Sequence, residues 1–140
     1  MSKSAPVLYA EDDPNDAFFL ERAFQLAKIP NPLVIVGTGQ AAIDYLGGLG
    51  EYSNRNEYPT PCLVMVDLKM PLKSGLEVLA WIRSQHGATT PVLVLTSSNQ
   101  ASDISQAYTS GANAFLIKPG KPAELVTMVA GIKRFWLAPD

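Results

Sequence analysis

Cys62-Leu63-Val64-Met65-Val66-Asp67-Leu68-Lys69-Met70-Pro71 runs from five apolar residues into a single acid and then a proline. A short, continuously apolar run bounded by turn residues reads as a strand buried on both faces. The acid that ends it then stands at the carboxyl edge of a parallel sheet, where open α/β folds hold their sites.

The flanking sequence supplies the rest of such a sheet. Val7–Ala10, Leu33–Val36, Val92–Leu95 and Ala114–Ile117 are further short apolar runs. Between them lie helical patterns. Asp13-Pro14 opens the first, with Asp as the N-cap and Pro in the first turn. It runs to about Ala27, with Ala17, Leu20, Phe24 and Ala27 on one face, and Pro30 and Pro32 stop it. A second helix spans Gly39 to about Leu46 and is ended by Gly47-Gly48. A third spans Gly75 to Gln85, with Leu76, Leu79 and Ile82 inward, and a fourth spans Ser102 to Ser110. The last runs from Pro122 to Trp136. Leu49 to Pro61 is polar and turn-rich, and reads as a long surface loop with at most a last helical turn. The expectation is one α/β domain over 1–140, core about 7–136, with no output domain. Its fold class is a (βα)5, flavodoxin-like, doubly wound parallel sheet with strand order 2-1-3-4-5 and right-handed crossovers.

Bulk properties agree. The chain has 140 residues, enough for one core and too few for two. Its net charge of −2 argues against nucleic-acid binding through a basic face, leaving room only for a local patch. One cysteine, Cys62, excludes an internal disulfide and reads as a small core residue. The start of the chain lacks a signal-peptide pattern, and no segment approaches ~18 continuous apolar residues. The expected location is the cytoplasm, without a membrane partner.

In a (βα)5 sheet all strand ends meet at one edge. Strand 1 delivers Glu11-Asp12-Asp13 there, strand 3 Asp67, strand 4 Thr96-Ser97-Ser98 and strand 5 Lys118-Pro119. With strands 1 and 3 adjacent, Glu11, Asp12 and Asp67 converge. Carboxylates a few ångströms apart repel by several kcal/mol at an intermediate dielectric, so the cluster calls for a cation. Oxygen donors of this kind suit Mg2+. Lys118 adds a fixed charge and Thr96 a hydroxyl. The inventory matches phosphoryl transfer to a carboxylate, with Asp67 as nucleophile and catalysis by positioning and charge. The new phosphate then reorganises a nearby loop.

The acidic group after strand 1, Asp67-Leu68-Lys69-Met70-Pro71 with Gly75, Thr96-Ser97 and Lys118-Pro119 together resemble the receiver domain of two-component response regulators. The likeness extends from about Val7 to Trp136. It implies that Asp67 is the phosphoacceptor and that Glu11, Asp12, Asp67 and the backbone carbonyl of Lys69 form the Mg2+ site, with Asp12 the more direct ligand. It makes Thr96 the switch hydroxyl, Ser97 a modulating neighbour, Lys118 the family's lysine and Phe115 the switch aromatic. Glu11-Asp12-Asp13, the insertion before strand 3, the Asp103-to-Asn113 stretch and Phe135-Trp136-Leu137 resemble a single-domain subgroup that includes phytochrome-associated response regulators. That likeness implies a sensor histidine kinase, phytochrome-like in some members, or a phosphotransfer protein as phosphodonor. It also implies dimers through the last helix and tail in some members, and output by contacts on the face of helix 4, strand 5 and helix 5. The chain is then a switch acting on its own phosphorylation, not a substrate-turnover enzyme.

Three features depart from the family pattern. The switch position holds Phe115, so no phenolic hydroxyl is available there. Lys118-Pro119 is followed by Gly120-Lys121, which adds a positive charge. Lys69 lies two residues beyond the acceptor and is expected to tune the lifetime of the aspartyl phosphate.

Other residues have plainer readings. Asp13 is a helix cap, His86 a solvated residue, and Met65, Met70 and Met128 packing residues. Phe115 suits core packing as well as a switch, and Phe135-Trp136 suit either a helix cap or a dimer face. A haloacid-dehalogenase-type phosphatase would need its two acids two residues apart after the first strand. A flavodoxin would need a Ser/Thr/Gly-rich loop where three acids stand. A pseudo-receiver would lack part of the set of Glu11, Asp12, Asp67, Thr96 and Lys118.

Overall fold

A computed structural model describes residues 5–85 and 89–137. His86 lies outside them, as does the tail beyond residue 137. Five strands, β1 (Val7–Ala10), β2 (Leu33–Val36), β3 (Leu63–Val66), β4 (Val92–Thr96) and β5 (Ala114–Ile117), alternate with five helices, α1 (Pro14–Leu26), α2 (Gly39–Gly47), α3 (Gly75–Gln85), α4 (Ala101–Thr109) and α5 (Pro122–Trp136). The strands form one parallel sheet in the order β2-β1-β3-β4-β5. The expected order and all ten elements are present. The fourth strand extends to Thr96, and the third begins at Leu63, with Cys62 half buried just before it.

The sheet is covered on both faces. Leu8, Ala10, Val64, Val66, Val92 and Val94 point into one apolar cluster with residues of α2 and α3. Val7, Tyr9, Leu63, Met65, Leu93 and Leu95 point into the other, with residues of α1 and α5. That alternation is the strand period of two. Every residue of β1, β3 and β4 is buried, whereas the edge strands β2 and β5 are only partly covered.

Helix starts follow local chemistry. Asp13 Oδ1 accepts hydrogen bonds from the backbone N–H of Asn15 (2.8 Å) and Asp16 (3.4 Å), the cap expected from its sequence. Thr38 caps α2 through Ala41 N–H at 3.0 Å. Gly48 ends α2 at φ 65°, a conformation suited to glycine.

Residues 49–61 are more organised than their sequence suggests. After a 3-10 turn at Gly50–Tyr52, Arg55 reaches back to the C-terminal end of α2. Its Nη1 donates to Tyr45 O (2.7 Å) and Tyr58 O (3.0 Å), and its Nη2 to Leu46 O (3.0 Å). Tyr45, Tyr52 and Tyr58 pack edge-on or tilted around it at ring separations of 5.1–6.1 Å. A guanidinium that adds charge-assisted bonds to carbonyls at the end of α2 and to Tyr58 O closes the insertion against the body.

Candidate functional site

Sheet register brings the acids together. Ala10 pairs with Val66 across β1 and β3, so the next residues, Glu11 and Asp67, emerge side by side. Asp67 N–H donates to Ala10 O at 3.1 Å, and Lys118 N–H donates to Thr96 O at 2.7 Å. The same carboxyl edge therefore presents Glu11, Asp67, Thr96 and Lys118.

Lys118 is the hub. Its Nζ lies 2.5 Å from Glu11 Oε1, 2.6 Å from Asp67 Oδ2 and 2.8 Å from Asp16 Oδ2. Glu11 is held further by the Tyr9 hydroxyl (2.9 Å) and by Asp13 N–H (3.1 Å). Asp67 Oδ1 accepts from Lys69 N–H at 3.4 Å, and Thr96 Oγ1, at the end of the neighbouring strand, accepts from Ser98 N–H at 3.4 Å. Glu11, Asp67 and Thr96 are the buried polar residues of the molecule among those described.

The electrostatics follow from this arrangement. Burial pushes the Asp67 carboxyl up, but the Lys118 ammonium and the Thr96 hydroxyl outweigh it, and Asp67 sits below its ordinary value. For Glu11 burial wins: its carboxyl is raised although Lys118 and Asp13 N–H pull it down. Burial also works against the Lys118 charge, yet hydrogen bonds to Asp16, Asp67 and Glu11 hold its pKa above the usual lysine value. Burial, then Glu11, raises the Tyr9 phenol, which stays protonated as a donor.

The loop after Asp67 is tightly folded. A Cβ on Gly75 would stand 2.1 Å from Asp67 O, and Gly75 N–H donates to Leu68 O at 3.0 Å. Leu72 (φ 49°) and Lys73 (φ 84°) adopt left-handed backbone there. The N-terminus of α2 grips this turn: Gly39 N–H donates to Pro71 O and Gln40 N–H to Leu72 O.

Other expected residues take varied places. Asp12 is exposed and forms no hydrogen bond or ion pair with a described residue. Lys69 and Ser97 are exposed, while Ser98 Oγ donates to Asp103 Oδ2 at 2.5 Å. Phe115 is half buried against the core on the α2–α3 side, and its backbone N–H donates to the Tyr108 hydroxyl at 3.1 Å. Asp16 and Tyr9 went unread as site residues. Asp16 was legible as a first-turn acid of α1, a placement the helix dipole favours, but not as a partner of Lys118. Tyr9 looked like an ordinary strand residue.

The donors at this edge are oxygens. Among the described residues no three His, Cys, Asp or Glu side chains form a ready ligand cluster. A Mg2+ ion needs only one or two carboxylates, completed by waters and phosphate. Three carboxylates around a single ammonium leave an excess of negative charge that such a cation offsets.

Comparison with known proteins agrees with this geometry. Residues 7–130 match the response regulator receiver domain. The chain is 36% identical over 132 residues to response regulator Rcp1 of Synechocystis sp., covering 94% of this chain and 88% of that protein. It is also similar to the crystal structure of the phosphorylated cyanobacterial phytochrome response regulator RcpA, at 33% identity and a TM-score of 0.87, covering 96% and 95% of the two chains. The Mn2+-bound form of Rcp1 follows at 34% identity and a TM-score of 0.85, covering 97% and 96%. Among the described residues no helix is long and apolar enough to cross a membrane. A buried strand-end aspartate held by a lysine from the last strand, on a sheet shared with these relatives, places the chain in the response regulator receiver domain family of two-component signal transduction.

Proposed function

We propose that this receiver accepts a phosphoryl group on Asp67, and that the observation carrying this is the 2.6 Å contact between Lys118 Nζ and Asp67 Oδ2. A carboxylate held ionised by a lysine is ready to attack phosphorus. One Asp67 oxygen forms the new O–P bond as the bond to the donor breaks, and the leaving group departs with its electron pair. Lys118 balances charge on the phosphoryl oxygens, and Thr96 Oγ1 donates to one of them. Asp12, Asp67 and the carbonyl of Lys69 would hold Mg2+, with Glu11 beside them. Bound there, the ion would neutralise charge developing on the phosphoryl group.

The donor is a sensor histidine kinase, phytochrome-like in line with the phytochrome response regulator the chain resembles, or a phosphotransfer protein. The chain acts as one cytoplasmic receiver domain, turning over no substrate beyond its own phosphoryl group. Its output runs through α4, β5 and α5, with Thr96 and Phe115 as switch residues and Ser97 beside them. Phe135, exposed at the end of α5, suits a homodimer contact through that helix and the tail.

The test is mass measurement of the chain after incubation with Mg2+ and acetyl phosphate. One added phosphoryl group, labile to hydroxylamine and absent in Asp67→Asn, is expected. No gain, or a gain that survives in Asp67→Asn, refutes the reading.

A further inference from the structure

Lys118 has three N–H donors, and each has its own carboxylate: Glu11, Asp67 and Asp16. A phosphoryl group arriving on Asp67 needs one of them. The three partners differ in how easily they let go. Glu11 is almost wholly buried, with its side chain 1% exposed, and is fixed by Tyr9 and Asp13 N–H. Parting it from Lys118 would strand a buried charge. Asp67 carries the incoming group itself. The Asp16 side chain is 40% exposed, so water can take over its hydrogen bond at small cost.

From this asymmetry we infer that Asp16 is a positioning residue, which holds the third N–H of Lys118 until the phosphoryl group takes it. The inference rests on Asp67 being the phosphoacceptor. Asp16 stands in the first turn of α1, whereas Lys118 leads into the segment before α5. Both line a cavity of about 350 Å3 together with Phe19, Lys121 and Leu125. Handing over the N–H removes the ion pair across that cavity, so the contact between α1 and the start of α5 changes with phosphorylation. Asp16 also slows the event it prepares, because its charge competes with the phosphoryl oxygens for the same ammonium.

The full chain with Mg2+ provides the test. Beryllofluoride serves as a phosphoryl mimic and acetyl phosphate as donor. Asp16→Asn, whose neutral amide releases Lys118 more readily, is expected to bind beryllofluoride about three-fold more tightly and to phosphorylate faster by a similar factor, the scale of a half-exposed ion pair. Its melting temperature should stay near wild type, and Asp16→Glu should restore wild-type behaviour. If Asp16→Asn fails to fold, Asp16→Ser makes the same comparison. Phosphoryl uptake by the wild type with equal affinity and rate in the neutral variant overturns this inference alone. Absence of uptake by the wild type overturns the Asp67 reading and this inference with it.

Discussion

Lys118 Nζ lies 2.5 Å from Glu11 Oε1, a contact between residues 107 positions apart in the chain. It joins the start of the fold to its last strand and neutralises an almost fully buried carboxylate. In the proposed mechanism, function and stability therefore share one ammonium.

Lys118→Met should destabilise the fold by about 3 kcal/mol at pH 7, because Glu11 then stays buried without a cation. The sign of the pH dependence follows from Glu11. Its folded pKa is already above the unfolded value of 4.5. Such a group favours folding fully below pH 4.5 and loses that contribution as pH rises through its folded value. Without Lys118 the folded value climbs further. Urea titrations should show the variant losing stability between pH 4.5 and neutrality more steeply than wild type. Parallel curves would refute this account.

Arg55→Ala should loosen residues 49–61. The guanidinium bonds the carbonyls of Tyr45, Leu46 and Tyr58, and lies 5.6 Å from the Tyr45 ring centre. Losing these charge-assisted bonds should cost about 2 kcal/mol. Limited proteolysis should cut within the insertion before the body, and phosphorylation of Asp67 should persist.

Gly75→Ala and Gly39→Ala test the acceptor loop. The new Cβ would meet Asp67 O at 2.1 Å in the first and Lys73 O at 1.9 Å in the second. Backbone must shift in both, at about 2–3 kcal/mol. Gly75→Ala moves the Asp67 main chain itself, so its acetyl phosphate rate should fall at least ten-fold. Gly39→Ala acts through Lys73, and its rate should fall less. Equal rates in both would show that the loop does not position the acceptor.

Tyr108→Phe tests the α4–β5 contact. Phe115 provides no hydroxyl, but its backbone N–H is bonded by one from Tyr108. β5 is an edge strand, so this N–H otherwise faces solvent. Removing the hydroxyl should cost about 1 kcal/mol and speed hydrogen exchange at Phe115. Unchanged exchange would rule out the latch.

Lys69→Ala addresses the lifetime of the aspartyl phosphate. Lys69 is exposed, and its N–H lies 3.4 Å from Asp67 Oδ1. Substitution should change the dephosphorylation rate several-fold while leaving stability within about 0.5 kcal/mol, as for most surface substitutions. An unchanged rate removes Lys69 from the control of hydrolysis.

Element order, sheet order and the strand-end positions of Glu11, Asp67, Thr96 and Lys118 were all legible in the sequence. Each depends on local pattern: apolar runs, caps and prolines mark the elements, and a residue just past a buried strand has one edge to occupy. What those side chains then bond was decided by tertiary structure. Asp12 and Asp16 are both acids near the start of α1, yet only Asp16 reaches Lys118, because Asp16 stands in the first turn of the helix whereas Asp12 precedes its N-cap. Arg55 shows the same limit: a polar loop reads as irregular until a helix end is folded beside it whose carbonyls its guanidinium can reach. The sequence determined where the proposed site sits. The tertiary structure decided how three carboxylates divide one ammonium, because that depends on burial and distance between residues far apart in the chain.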